Sequence, residues 1–194
     1  MNTTSIEDKA IATRVREVFG GTAEVHRYWD EGNEFHVDIL HSANSPWPGV
    51  TSYSTLGLSN WPLFQDDKEF KVRLELVGAC TSNAPTLGNV LATCAFYIIK
   101  ERWFCAPGVI FRDMLTINDV PCTTPHLLFV PPFLWDEKLN TTFQLANRLV
   151  TWLLAVPITE AEAVFGATEG SDKLENLLQE KDVAIFDLQR KSVA

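Results

Sequence analysis

The stretch Val150-Thr-Trp-Leu-Leu-Ala-Val-Pro-Ile-Thr-Glu-Ala-Glu162 decides how this chain folds. Its first part is a β-prone apolar run that closes at Pro157, the pattern of a strand buried on both faces. Thr159 and Glu162 follow in T-x-x-E spacing, a capping box in which the hydroxyl accepts an early helix N–H and the carboxylate reaches back. A buried strand that feeds straight into a capped helix requires a sheet with helices packed on it. Trp152, in the middle of the run, belongs to the core.

The rest of the chain repeats these elements. Residues 5–19 read as an amphipathic helix with Ile11, Val15, Val18 and Phe19 inward, a possible Thr4/Glu7 box at its start and Gly20-Gly21 as its stop. Two alternating segments follow, one with Val25, Arg27 and Trp29 on a face, the other with Phe35, Val37 and Ile39. Asp30-Glu-Gly-Asn33 joins them with hairpin chemistry. Residues 43–49 form a loop and 50–57 a strand. Residues 69–77 alternate charge with apolar side chains, as a half-buried strand does. Asn83 and Pro85 open a helix that runs to about residue 102 with Leu87, Val90, Leu91, Cys94 and Ile98 inward. Residues 109–115, 126–130 and 149–156 are expected strands, 136–142 a loop, and 143–148 reads equally as helix or strand. Two short helices, 160–166 and 172–181, are expected to break at Gly166 and Gly170, with Ser171 capping the second and Leu174, Leu177 and Leu178 on its inner face. Six or more strands with helices before, between and after them define an α/β (α+β) sandwich around one sheet. No repeat or linker divides residues 1–194, which read as a single domain.

Composition narrows the partners. The 194 residues carry a formal net charge of −9 and are 46% hydrophobic, enough for a full core without disulfide or metal staples. Residues 1–60 hold eight acids and four bases, 61–159 nine and eight, and 160–194 eight and four. Two acidic ends argue against nucleic acid and anionic membrane as main partners, since both demand a basic face, and are compatible with a basic protein. The same charge also keeps an ordinary protein soluble. Cys80, Cys94, Cys105 and Cys122 show no C-x-x-C pairing and read as reduced thiols. With a polar N-terminus and no long apolar segment, they point to the cytoplasm.

Chemistry is hard to find. His26, His36, His41 and His126 lack ligand spacing such as H-x-x-x-H, so no metal site is expected, although one could assemble in space. No P-loop, G-x-S-x-G elbow or G-x-G-x-x-G fingerprint occurs, and no catalytic residue or cofactor is assigned. Cys105, in a Cys-Ala-Pro-Gly turn, is the best thiol candidate and Cys94 is packing; a structural role outweighs a catalytic one for both. Asp66-Asp67 and Asp30-Glu31 are adjacent acids in turns, not a convergent acid–base pair. Trp47 and Trp61 lie in Pro-containing loops, where a large ring either folds onto the domain or anchors a partner.

Taken in order, Val37-Asp-Ile-Leu40, Tyr53-Ser-Thr-Leu-Gly-Leu-Ser59, Leu127-Leu-Phe-Val-Pro-Pro132, the Leu153–Glu162 run and the Asp187…Arg190…Ser192 ending resemble the suppressor-of-fused-like (SUFU) family. The resemblance implies a central mixed β-sheet flanked by helices and no catalysis. It also implies a single such domain, without the further C-terminal domain of the vertebrate namesake. The animal protein binds a peptide of a transcription factor. Bacterial members resemble immunity proteins, or antitoxins, of polymorphic toxins, including a nuclease toxin with an LXG secretion domain. The family supplies no toxin-binding residues that map onto this chain.

Three functions follow for comparison. The first is an immunity protein that occludes a basic toxin, a nuclease, with Asp30, Glu31, Glu34, Asp66, Asp67, Trp47 and Trp61 as contact candidates. The second is a module that binds an endogenous peptide by strand addition. The third is an enzyme whose thiol or histidine site the linear sequence hides.

Overall fold

The computed structural model describes residues 5–81, 86–135 and 137–194. The first element among the described residues is α1 (Ile6–Phe19), whose Ser5 and Asp8 form a reciprocal capping box. The box therefore sits one residue later than the sequence suggested; Thr4 lies outside the described residues. Ile11, Val15 and Phe19 are buried. Strands β1 (Thr22–Trp29), β2 (His36–Ala43) and β3 (Val50–Leu56) form a meander. A 3₁₀ turn (Leu58–Asn60) and a small hairpin of β4 (Phe64–Gln65) and β5 (Lys68–Glu69) lead into β6 (Val72–Thr81). Helix α2 (Leu87–Lys100) is followed by β7 (Ile110–Phe111), α3 (Met114–Ile117), β8 (His126–Val130), α4 (Glu137–Asn140), β9 (Phe143–Gln144), β10 (Leu149–Ile158), α5 (Glu160–Glu169) and α6 (Ser171–Glu180).

The main sheet has eight strands in the order β1-β2-β3-β6-β10-β8-β7, with β9 paired to β10. It is mixed: β10 runs parallel to β6 and antiparallel to β8 and β9. Helix α2 covers one face, where Ile39, Leu76, Leu87, Leu91 and Phe129 share a cluster. Helices α1, α5 and α6 cover the other, where Ile11, Val77, Trp152, Leu154, Ala163 and Leu174 meet. Burial on both faces explains the unbroken apolar run of β10.

Several sequence expectations are corrected. The alternating stretch 69–77 is not one half-buried strand. Residues 68–69 turn back on 64–65, and β6 starts at Val72 in the middle of the sheet, so Glu75 is fully buried. The strand expected over 109–115 is two residues long, because Asp113 takes a left-handed φ of 60° and turns the chain into α3. Aspartate tolerates that region better than most residues. The loop expected at 136–142 contains α4, anchored by buried Leu139 and by Arg14 Nε donating to the Lys138 carbonyl at 3.0 Å. Gly166 does not end α5: it is a contact point, since a β-carbon there would lie 2.9 Å from Leu174 and 3.1 Å from Ile110. Gly170, at φ 97°, is the break, and it rather than Ser171 is the N-cap residue of α6, with no side-chain cap. The start proposed for the long helix, Asn83 and Pro85, lies outside the described residues. Residues 143–148, ambiguous in sequence, supply β9 and a turn.

Two fully buried carboxylates, Glu162 and Glu75, hold connections of the fold. Glu162 accepts from the Thr159 N–H at the start of α5, from Val193 N–H, and from both terminal nitrogens of Arg190 at 2.7 Å. Arg190 also donates to the Pro157 carbonyl, and Thr159 Oγ1 meets Ser192 Oγ at 2.9 Å. The end of β10, the start of α5 and the last residues are thus one knot. Burial pushes the Glu162 carboxyl up, but Arg190 and the two backbone donors outweigh it and leave it below its usual range.

Glu75 makes the second knot. It accepts from Thr55 Oγ1 at 2.5 Å and from the Gly57 and Ser59 N–H groups at 3.0 Å each. Tyr53-Ser-Thr-Leu-Gly-Leu-Ser59 is therefore a strand and turn wrapped around one carboxyl. Burial raises the Glu75 pKa to about 7, against the pull of Thr55, Ser59 and Gly57. An unfolded glutamate near 4.5 loses its proton first, so stability declines as pH rises from 4.5 to about 7, by at most about 3 kcal/mol. Glu75→Gln removes this titration. Its stability relative to the parent should improve between pH 5 and pH 8, measured by urea unfolding. Parallel pH profiles would show that Glu75 is ionised throughout.

Candidate functional site

The antiparallel registers put the turns at 30–35 and 57–71, and residue 148, at one end of the sheet. Here β1 is the outermost strand. It pairs with β2 along its whole length, and among the described residues no strand pairs with its outer edge. Most of its residues are exposed. Such an edge offers free N–H and C=O groups to another chain.

The surface beside this edge carries exposed apolar side chains among polar ones. Val25 is 50% exposed, Trp29 49% and Trp61 37%. Trp61 packs on Phe35 at 5.2 Å, and Trp29 on His36 at 4.9 Å. Arg27 makes a bidentate pair with Asp38 at 2.7 and 2.9 Å, which fixes the guanidinium across the hairpin. Between these side chains and the start of α1 lies a groove of about 820 Å³. A second groove of about 520 Å³ runs between the hairpin and α2, past Glu31 and Lys100. Trp29 lines both, so the hairpin is a ridge with a concavity on each side.

The seven contact candidates do not lie together. Glu34 and Trp61 line the larger groove and Glu31 the smaller. Asp66 and Asp67 are exposed at the tip of the β4–β5 hairpin, with left-handed φ values of 48° and 61° that make a type I′ turn. Asp30 is not available to a partner. It is 7% exposed and accepts from the Glu34 and Phe35 N–H groups and from Lys100 Nζ at 2.7 Å, closing the turn and tying it to α2. Lys100 and the backbone donors hold its carboxyl at about 2. Trp47 sits at the opposite end of the sheet, edge-on to Phe186 at 5.2 Å. Charges around the groove end are also more balanced than the sequence implied: Arg73 pairs with Glu69, Arg148 with Glu7, and Arg102 approaches Asp67 to 4.0 Å. The exposed β1 face, with Trp29, was read in sequence only as one side of a strand. That β1 lies at the edge depends on pairing that no local pattern reveals.

Enzyme-like chemistry does not assemble around the candidate residues. Cys94 and Cys105 are buried, and burial pushes both thiols far up, away from the reactive thiolate. Buried His126 accepts the Asp113 N–H at Nδ1 and meets Glu160 at 2.6 Å through Nε2, so it braces β8 against α5. Spacing alone gave no metal ligands, yet pairing of β1 with β2 brings Glu24, His26 and His41 together.

Comparison with known proteins agrees with this architecture. Residues 33–191 match the model of the Suppressor of fused protein (SUFU) family, and the chain belongs to that family. It is similar to Immunity protein YqcF of Bacillus subtilis (strain 168), at 43% identity over 187 residues, covering 96% of this chain and 97% of the relative. Its fold is similar to that of a SUFU homolog from Neisseria gonorrhoeae, with a TM-score of 0.69, 16% identity and 96% of each chain covered. It is also similar to a chain of the Sufu–Fu complex, with a TM-score of 0.63, 13% identity, and 95% and 91% covered. No helix among the described residues is long and apolar enough to cross a membrane.

Proposed function

We propose that this protein is an immunity protein that binds a toxin protein through the β1–β2 hairpin and neutralises it by occlusion. The observation that carries this reading is the open β1 edge, flanked by half-exposed Val25, Trp29 and Trp61 and by a groove on each side. Aromatic anchors beside concavities are the usual energetic centres of protein interfaces. The relative that carries the name immunity protein matches over nearly its whole length, which supports the same role here. A formal charge of −9 suits a basic toxin such as a nuclease, encountered in the cytoplasm. The contact set is Glu31, Glu34, Trp61, Asp66 and Asp67, joined by Val25 and Trp29. No cofactor is required.

A second reading, a module for an endogenous peptide, rests on the same edge, because an extended peptide could add to β1 as a further strand. One experiment separates the two. The purified protein is mixed with the toxin encoded beside its gene, at micromolar concentration and low salt. The immunity reading predicts a stable complex and loss of toxin activity. Glu31→Lys with Glu34→Lys should slow association about tenfold and flatten its salt dependence. Unchanged capture would remove the hairpin acids from the interface. Failure to bind any neighbouring toxin would overturn the immunity role in favour of peptide binding.

A further inference from the structure

The side of β1 that faces α2 carries a group of side chains the docking surface does not use. Glu24 and His26 are two residues apart on β1 and therefore share a face. His41, on β2, is the direct cross-strand partner of Glu24. The three side chains converge. Glu24 Oε2 lies 3.5 Å from His26 Nε2 and 3.4 Å from His41 Nε2, and one donor atom from each residue fits within 4.8 Å of the others. The two imidazole rings are 4.7 Å apart, and the ring of Tyr53 stands edge-on to His41 at 6.1 Å, backing it from the next strand.

These separations are longer than good N–H···O hydrogen bonds, which cluster near ~2.9–3.0 Å. They match another geometry. Ligands held at about 2.1 Å from a tetrahedral ion are roughly 3.4 Å from one another. Two imidazole nitrogens and one carboxylate oxygen form a donor set suited to borderline divalent cations and poorly suited to calcium or magnesium, which favour oxygen ligands. All three residues sit on regular paired strands, so their backbone positions are set before an ion arrives. His26 and Glu24 are more than half exposed and His41 is 28% exposed at the side chain, which leaves an entry path and room for a water as fourth ligand.

We propose that Glu24, His26 and His41 form a surface site for a borderline divalent metal ion of the zinc type, which clips β1 to β2. Such a clip would fasten the outermost strand of the sheet from the side opposite the large groove. It does not depend on the toxin-binding reading.

The test uses tag-free protein and Zn²⁺ alone, followed by titration calorimetry and thermal unfolding. One Zn²⁺ per chain should bind saturably. An ion that binds only the folded state should raise Tm by about 5–10 °C at a hundredfold excess over Kd. His26→Ala and His41→Ala should each weaken binding at least tenfold, because loss of even an outer-sphere partner typically costs ~10–100-fold. His36→Ala, whose ring lies tilted against Trp29, and Cys122→Ser, the most exposed thiol, should leave binding unchanged. Absence of saturable binding at ~100 µM Zn²⁺ would overturn the proposal. So would binding that survives loss of both histidines, or that disappears with Cys122.

Discussion

Arg190→Ala is expected to destabilise the protein by ~3–5 kcal/mol, the usual range when one partner of a buried ion pair is removed. Arg190 is 7% exposed and Glu162 fully buried. The substitution strands the Glu162 carboxylate with only the Thr159 and Val193 N–H groups, and it frees the Pro157 carbonyl. Glu162→Ala should cost about as much, since it leaves a buried guanidinium unpaired and removes the reciprocal half of the α5 capping box. The double variant should cost much less than the sum, because each single change already breaks the same pair. Acid should mimic the effect. The Glu162 carboxyl is held below its usual 4.5, so its contribution is complete above pH 4.5 and is lost as pH falls through its folded value. Urea unfolding at pH 7 checks the mutants. A loss below about 1 kcal/mol for either single variant would mean that the knot is ornamental.

Trp152→Ala should also remove ~3–5 kcal/mol. The ring is 1% exposed and lies on β10 beside β6, its centroid 6.3 Å from that of Phe143 and 5.7 Å from the Arg14 guanidinium carbon. In a chain of this size such a loss corresponds to a fall in Tm of roughly 6–20 °C. Its indole N–H is buried without a partner, so Trp152→Phe should be far milder. Phenylalanine keeps an apolar ring there and removes the unsatisfied donor. A Tm fall for Trp152→Phe as large as for Trp152→Ala would show that the indole shape, not burial, matters.

The same residues explain what could be read from the sequence. The β10–α5 unit was legible because its signals are local: an apolar run, a proline, and T-x-x-E spacing. Helix α1, the hairpin and α2 were legible for the same reason. Glu75 was misread because alternation says which side chains share a face, while burial depends on which strands and helices cover that face. Strand β7 was overextended because a single left-handed aspartate ends it. Family motifs were visible, yet three of them turn out to hold the fold: the Tyr53–Ser59 stretch wraps Glu75, and the Leu153–Glu162 run is tied to the Asp187…Arg190…Ser192 ending through Glu162 and Arg190. Residues that brace a shared fold carry little information about a partner. The exposed β1 ridge and the Glu24–His26–His41 group were hidden for the converse reason. Both depend on which strand ends the sheet and on the register of β1 against β2.

Hydrogen–deuterium exchange on the toxin complex tests the docking claim most directly. The outward N–H groups of β1 are open in the free protein and should exchange quickly. If the toxin docks on this edge, protection should appear across residues 22–35 and around Trp61, with little change at α6. A stable, inhibitory complex in which β1 exchanges as fast as in the free protein, with protection elsewhere, would contradict the account.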